Sequence, residues 1–167
     1  MYPKSPFTNV QDHYSRLMRE SGKKPTSVFI ASYGLNIGLY RKGSGEFFSK
    51  TSLTRDFLNS LRGVKKVDIL IGFPAQRRGE SYKDFSYRKA MLKRAIDKWP
   101  EYNWRISEHS HIKCAGFEKR GSIHCVITGG RNLTDSAYSD LSIVVPKRQR
   151  SPIKNHFYKL YKQAKEI

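Results

Sequence analysis

The sequence predicts an α/β fold in which a mixed sheet of parallel and antiparallel strands is flanked by helices. Apolar runs typical of strands alternate with segments of helical spacing along the chain. The 167 residues include 38% hydrophobic and 13% aromatic residues, which is enough to bury a core. No internal repeat is visible, which argues against a solenoid. We expect one domain over residues 1–167, with residues 1–25 as a flexible or peripheral N-terminal segment.

The first half of the chain predicts two strands and two helices. Residues 27–33 and 66–73 are apolar and flanked by turn-forming residues, as is typical of buried strands. Between them, a short helix over 54–63 has Thr54 at its start and a glycine past its end. After a polar and basic loop, residues 87–99 show apolar positions at helical spacing, and Pro100 ends the helix.

The second half predicts four strands and a closing helix. The helix is expected to start with Ser151 as N-cap and Pro152 as its first residue. EKRG, residues 118–121, is expected to form the turn of a hairpin between the strands 111–117 and 122–128. In such a hairpin, residues whose numbers sum to 239 face each other, so His111 lies opposite Thr128. The predicted strands are residues 102–107, 111–117, 122–128 and 141–145.

The charge of the chain predicts an anionic partner. Thirty-two Lys and Arg against 14 Asp and Glu give a net charge of +18. We therefore expect nucleic acid, and DNA in particular, as the partner, with an anionic membrane surface as the alternative. No apolar run approaches the ~20 residues of a membrane span, so we expect no membrane attachment and a cytoplasmic location. Cys114 and Cys125 do not have a metal-binding spacing and are expected to stay reduced. Their numbers sum to 239, so the predicted hairpin also places them opposite each other.

An unusual polar face marks the strand around residue 111. His111 and Lys113 alternate along the chain, so they share one side of the strand. The predicted hairpin brings His111 next to the segment 129–132, whose two glycines allow a ligand to approach exposed backbone N–H groups closely. An imidazole, a cation and an anion cradle would therefore meet in one place.

This pattern resembles the phospholipase D superfamily, whose HKD signature is H-x-K-x4-D followed by G-[GS]-x-N. In this sequence His111 and Lys113 match the first two positions, Glu118 stands at the position of the Asp, and GGRN, residues 129–132, matches the second part. Thr134, Ser136 and Asp140 follow in the expected order. Two features depart from the signature: Glu replaces Asp, and the segment from Glu118 to the glycines is four residues longer than usual.

The resemblance implies a phospholipase D-like domain and a covalent mechanism. His111 would attack phosphorus to form a phosphohistidine, and a second histidine would protonate the leaving oxygen. Lys113 and Asn132 would hold the non-bridging phosphate oxygens, and Asp140 would orient the ring of His111. No metal or cofactor is implied. Because the chain carries one HKD copy, we expect a homodimer with one composite site.

The sequence analysis thus predicts a metal-independent phosphodiesterase, a DNA endonuclease of low sequence specificity, with Arg77, Arg78 and Lys83 as a track for nucleic acid. Two alternatives remain: a lipid phosphodiesterase or phosphatidyl transferase, and a non-catalytic nucleic-acid-binding protein of the same fold. His109 and His124 are interpreted as structural rather than catalytic. The expected substrate cradle consists of Thr128, Gly129, Gly130, Thr134 and Ser136.

Overall fold

A computed structural model describes residues 7–8, 24–35, 53–73, 75–129 and 142–167. These residues form an eight-stranded sheet of order β1-β7-β6-β5-β2-β3-β4-β8 and three helices, which confirms the α/β class. The strands are β1 (Phe7–Thr8), β2 (Ser27–Ser32), β3 (Lys66–Gly72), β4 (Asn103–Ser107), β5 (Cys114–Lys119), β6 (Ser122–Gly129), β7 (Ser142–Val144) and β8 (Lys165–Glu166), and the helices are α1 (Leu53–Ser60), α2 (Tyr82–Lys98) and α3 (Lys147–Gln163).

Five strands of the sheet point in the same direction. Strands β2, β3 and β4 pair in parallel, and β5 is antiparallel to both β2 and β6, so β6 runs parallel to β2. Strand β7 is antiparallel to both β6 and β1, so β1 also has this direction. The carboxyl ends of β1, β2, β3, β4 and β6 lie along one edge of the sheet, where β5 and β7 begin. We call it the C-terminal edge.

The sheet is covered on both faces. Helices α1 and α2 pack their apolar side chains, among them Phe57 and Met91, against Ile30 and Ile69 in the centre of the sheet. On the other face α3 is held by an aromatic contact with the middle of the sheet: the ring centroids of Phe157 and Phe29 lie 5.1 Å apart. Both rings are fully buried. The architecture is therefore a three-layer arrangement that leaves the strand ends for function.

Helix α2 begins five residues earlier than the apolar spacing predicts, at Tyr82 instead of 87. The reason is an N-terminal cap that the sequence analysis missed. The hydroxyl of Ser81 accepts a hydrogen bond from the backbone N–H of Asp84 at 3.1 Å and donates one to its carboxylate at 2.7 Å. This cap satisfies a backbone donor of the first turn, so the polar segment before residue 87 becomes helical.

Helix α3 also begins earlier than predicted, at Lys147, so that Pro152 lies inside the helix and Ser151 is not its N-cap. A tertiary contact fixes the added first turn. The guanidinium of Arg150 donates hydrogen bonds to the carbonyl oxygens of Val145 at 3.1 Å and His124 at 2.7 Å. These bonds attach the turn to the sheet, and they outweigh the local preference of Ser-Pro for a helix start.

The predicted register of the β5–β6 hairpin is wrong. The turn consists of Arg120 and Gly121, both with positive φ (51° and 78°), as in a two-residue type I′ turn. Cys114 consequently pairs with Thr128, and a bulge follows Phe117. His111 and Lys113 precede β5 instead of lying within it.

The register also corrects the expected contact between the two cysteines. Cys125 pairs with Phe117 and belongs to the core under α1 and α2, whereas Cys114 belongs to the core under α3. The two cysteines are not joined by a disulfide and lie on opposite faces of the sheet. Within the expected peripheral segment 1–25, Phe7–Thr8 pair with β7 at one side of the sheet.

Candidate functional site at the C-terminal edge

The segment between β4 and β5, residues 108–113, carries His111 along the C-terminal edge. Strand β4 is separated from β5 in the sheet by β3 and β2. The segment must therefore pass the ends of these two strands before β5 can begin. This connection, which we call the crossing segment, brings His111 to residues that follow β2.

His111 stacks on Tyr33, the residue directly after β2. The two ring centroids lie 4.0 Å apart and the planes differ by 18°. The guanidinium carbon of Arg77 lies 5.0 Å from the centroid of the Tyr33 ring, within the range of a cation–π contact. Tyr33 is half-buried, whereas His111 and Arg77 are exposed. We call these three side chains the Tyr33 stack.

Gly72, the last residue of β3, allows the stack to form. A Cβ atom at this position would overlap the carbonyl oxygen of Ser110 and would lie 2.8 Å from Cδ2 of Tyr33. Ser110 belongs to the crossing segment and is buried. Any side chain at residue 72 would therefore push Tyr33 and the crossing segment away from the end of β3.

Glu80 fixes the turn that carries Arg77. Its carboxylate accepts a hydrogen bond from the backbone N–H of Arg77 at 3.0 Å and two from the guanidinium of Arg88 in α2, each at 2.7 Å. These hydrogen bonds, chiefly those from Arg88, lower the pKa of Glu80 from 4.5 to about 2. The turn is therefore tied to α2 through a bidentate ion pair.

Lys113 lies beside the end of β6. Its carbonyl oxygen accepts a hydrogen bond from the hydroxyl of Thr128 at 3.1 Å and one from the backbone N–H of Gly129 at 3.4 Å. The structure thus brings His111, Lys113, Thr128 and Gly129 to the same edge. Five other predicted site residues fall outside the part of the chain that the structure describes: Gly130, Asn132, Thr134, Ser136 and Asp140.

The structure does not bring Glu118 to this site. Glu118 pairs with Ser27 at the start of β2, and its carboxylate forms an ion pair with Lys154 of α3. Five residues of extended chain separate it from Lys113, a distance of roughly 17 Å. Glu118 lies towards the opposite edge of the sheet, where it joins α3 to the sheet. The expectation that Glu118, at the Asp position of the signature, joins His111 and Lys113 in one site is therefore wrong.

The predicted basic track lies near the Tyr33 stack. Arg77 and Arg78 belong to the turn after β3, and Lys83 belongs to the first turn of α2; all three are exposed. Tyr82, the first residue of α2, is 76% exposed. Because β3 ends at the C-terminal edge, this turn presents its cations there. His109, on the crossing segment, is also exposed, whereas His124 lies near the hairpin turn towards the opposite edge.

A second polar cluster, at the start of β3, has a structural role. The carboxylate of Asp68 is buried and accepts hydrogen bonds from the amide of Asn103 at 2.9 Å and the hydroxyl of Tyr158 at 2.8 Å. Lys66 forms an ion pair with it at 3.1 Å. These groups line a cavity of about 540 Å³. The hydrogen bond from Tyr158 connects α3 with the start of β3.

The described part of the chain contains no group of three or more His, Cys, Asp or Glu side chains arranged to hold a metal ion. None of its helices combines the length and the apolar character needed to cross a membrane.

Comparisons with known proteins add a distant structural neighbour. No family model and no curated protein matches the sequence. A solved structure that matches is that of TrmBL2, an archaeal chromatin protein whose structure shows a novel mode of DNA binding. The match has a TM-score of 0.49 and 13% sequence identity, and it covers 96% of this chain. This chain spans about half, 53%, of the length of that protein. At this similarity the neighbour does not inform the chemistry of the site.

Proposed function

We propose that the protein binds nucleic acid at the C-terminal edge of its sheet. The observation that carries this proposal is the Tyr33 stack, which places two aromatic rings and a guanidinium together on a chain of net charge +18. Exposed Arg78 and Lys83 extend the positive charge along the same edge. Cations bind phosphates and release counterions, while rings contact bases. Contacts of this kind give affinity with little sequence specificity.

The test is a binding titration at several salt concentrations with two variants that each remove one positive charge. Arg77→Ala is expected to weaken binding and to reduce the slope of log K against log salt by about 1, because one phosphate contact is lost. Lys65→Ala, at the exposed turn before β3 on the opposite edge, is the matched control and is expected to bind nearly as wild type does. Equal losses in both variants would contradict binding at the C-terminal edge.

A second candidate function is hydrolysis of the bound phosphodiester, as the phospholipase D-like pattern implies. The observation that favours it is the convergence of His111 and Lys113 with Gly129 at one edge, with His111 exposed to a ligand. A ring nitrogen of His111 would attack phosphorus, and the bond from phosphorus to the leaving oxygen would break. A second histidine, supplied by the partner chain of a homodimer, would protonate that oxygen. Water would then cleave the phosphorus–nitrogen bond.

Supercoiled plasmid in excess chelator tests the second candidate. Nicking by wild type that disappears in His111→Ala supports hydrolysis by the histidine, and it is expected to persist in His156→Ala, which removes an exposed histidine from α3. Retarded but intact plasmid would reject hydrolysis and leave the binding proposal standing. Plasmid that is neither retarded nor cut would reject hydrolysis and the binding of duplex DNA.

A further inference from the structure

We infer that the Tyr33 stack is a platform for an unpaired base, so that single-stranded nucleic acid is the preferred ligand. This inference rests on the proposed nucleic-acid binding and goes beyond it, because it assigns the aromatic pair a role separate from the charge of the site. Phosphate contacts can form with both single strands and duplexes, whereas stacking on a protein ring requires a base with an accessible face.

The ring pair is in place before a ligand arrives. Tyr33 and His111 are nearly parallel at 4.0 Å, and the buried carbonyl of Ser110 and the ring of Tyr33 both lie against Gly72. The packing that orders the two rings is therefore part of the folded state. A preorganised pair avoids the entropy that a ligand would otherwise lose in ordering it.

Exposure distinguishes the platform from ordinary core packing. Aromatic pairs such as Phe29 and Phe157 are fully buried in this protein, whereas His111 is exposed and supported from one side by Tyr33. A base that stacks on His111 extends an existing stack instead of creating one. In a duplex each base already has neighbours on both faces, so a base that extends the stack must be unpaired or at a strand end.

The surroundings of the platform suit the backbone of a single strand. The guanidinium of Arg77 lies against Tyr33, and Arg78 and Lys83 are exposed on the same edge. Tyr82, which is 76% exposed at the start of α2, adds another ring among these cations. Single-strand binding proteins combine the same two elements, a cationic groove for phosphates and rings for successive bases.

The experiment compares three labelled ligands by fluorescence anisotropy: a single-stranded oligonucleotide, an oligonucleotide of the same length with abasic sugars, and the duplex of the first. Ligand integrity is checked on a denaturing gel. Wild type is expected to bind the base-containing strand at least about fivefold more tightly than the abasic strand, since stacking of one base contributes at least this factor. It is also expected to prefer the single strand to the duplex.

Two substitutions of His111 show whether the preference for bases depends on its ring or on its imidazole nitrogens. His111→Phe keeps a ring and is expected to keep the preference for bases. His111→Ala is expected to lower the ratio of the affinities for the base-containing and abasic strands by about fivefold, the contribution of one stacked base. His156→Ala is the control and is expected to keep the ratio of wild type. Thermal unfolding of each variant verifies that it is folded.

The outcomes distinguish the inference from the proposed function. Equal binding of the base-containing and abasic strands, tighter binding of the duplex, or a ratio that persists in His111→Ala would each overturn the stacking platform while nucleic-acid binding stands. Failure to bind any of the three ligands would overturn the proposed function itself.

Discussion

Gly72→Ala is expected to damage the fold and the site together. The added methyl group would overlap the carbonyl oxygen of Ser110 and lie 2.8 Å from a ring carbon of Tyr33. The carbonyl belongs to the main chain, so relief requires the crossing segment to shift. Overpacking of this kind costs about 1–3 kcal/mol, and the lower entropy of the unfolded chain with alanine returns ~0.4–1 kcal/mol. We expect a net loss of about 1–2 kcal/mol and weaker nucleic-acid binding.

Gly116→Ala is the matched control for this prediction. Its methyl group would overlap the ring of Phe29, which is fully buried and packed against Phe157. A destabilisation of about 1–3 kcal/mol is expected here too, but the affinity for nucleic acid should not change because the contact lies in the middle of the sheet. Urea unfolding and anisotropy titrations measure both quantities. Wild-type stability and affinity in Gly72→Ala, or equal losses of affinity in both variants, would refute the reasoning.

Three further predictions concern individual groups. Arg88→Met should raise the pKa of Glu80 from about 2 towards 4.5 in an NMR titration of its carboxyl group. Because the folded pKa is the lower one, the stabilisation in wild type is present above pH 4.5 and is lost as the pH falls towards 2. In the variant this stabilisation should be smaller, since only the contribution of Arg77 remains. Arg120→Asn should stabilise the protein by about 0.5–1 kcal/mol in thermal unfolding, since asparagine tolerates a positive φ, and a lower Tm would contradict this. Burial raises the pKa of Cys114 to about 12 and that of Cys125 to about 11, so neither thiol should react with a thiol reagent at pH 8 until the protein unfolds.

The sequence predicts the strands better than the starts of helices. The strand predicted over residues 66–73 is observed as Lys66–Gly72, because a continuous apolar run between turn residues has few alternatives. Helices α2 and α3 begin earlier than predicted. Their first turns depend on the Ser81 cap and on hydrogen bonds from Arg150 to the sheet, and neither produces an apolar pattern.

The hairpin register could not be read from the apolar pattern either. The pattern fixes which residues are in strands, but the pairing depends on where the turn begins and on a bulge after Phe117. Arg120 adopts a positive φ that arginine rarely takes, so the sequence gives little indication of a two-residue turn with Gly121. Because of this error, the predicted register paired Thr128 with His111 instead of Cys114, and it placed the two cysteines opposite each other.

The candidate site was predicted in part. The alternation of His111 and Lys113 predicted that these residues lie near the first glycine of the GGRN segment, and the structure places Lys113 beside Gly129. Their catalytic roles stay a prediction. Tyr33 and Glu80 were missed, since neither belongs to a recognisable motif. Tyr33 gains its position from the topology that sends the crossing segment past β2, and Glu80 gains its position from its ion pair with Arg88.

The central claim is that nucleic acid binds at the C-terminal edge, and an NMR titration with a short single-stranded oligonucleotide tests it most directly. The account predicts that backbone amide shifts concentrate at Tyr33, at the turn that carries Arg77, and in the crossing segment, residues 108–113. Amides of the opposite edge, such as those of Lys65 and Gly121, should be unaffected. Shifts confined to that opposite edge or to the exposed side of α3 would contradict the account.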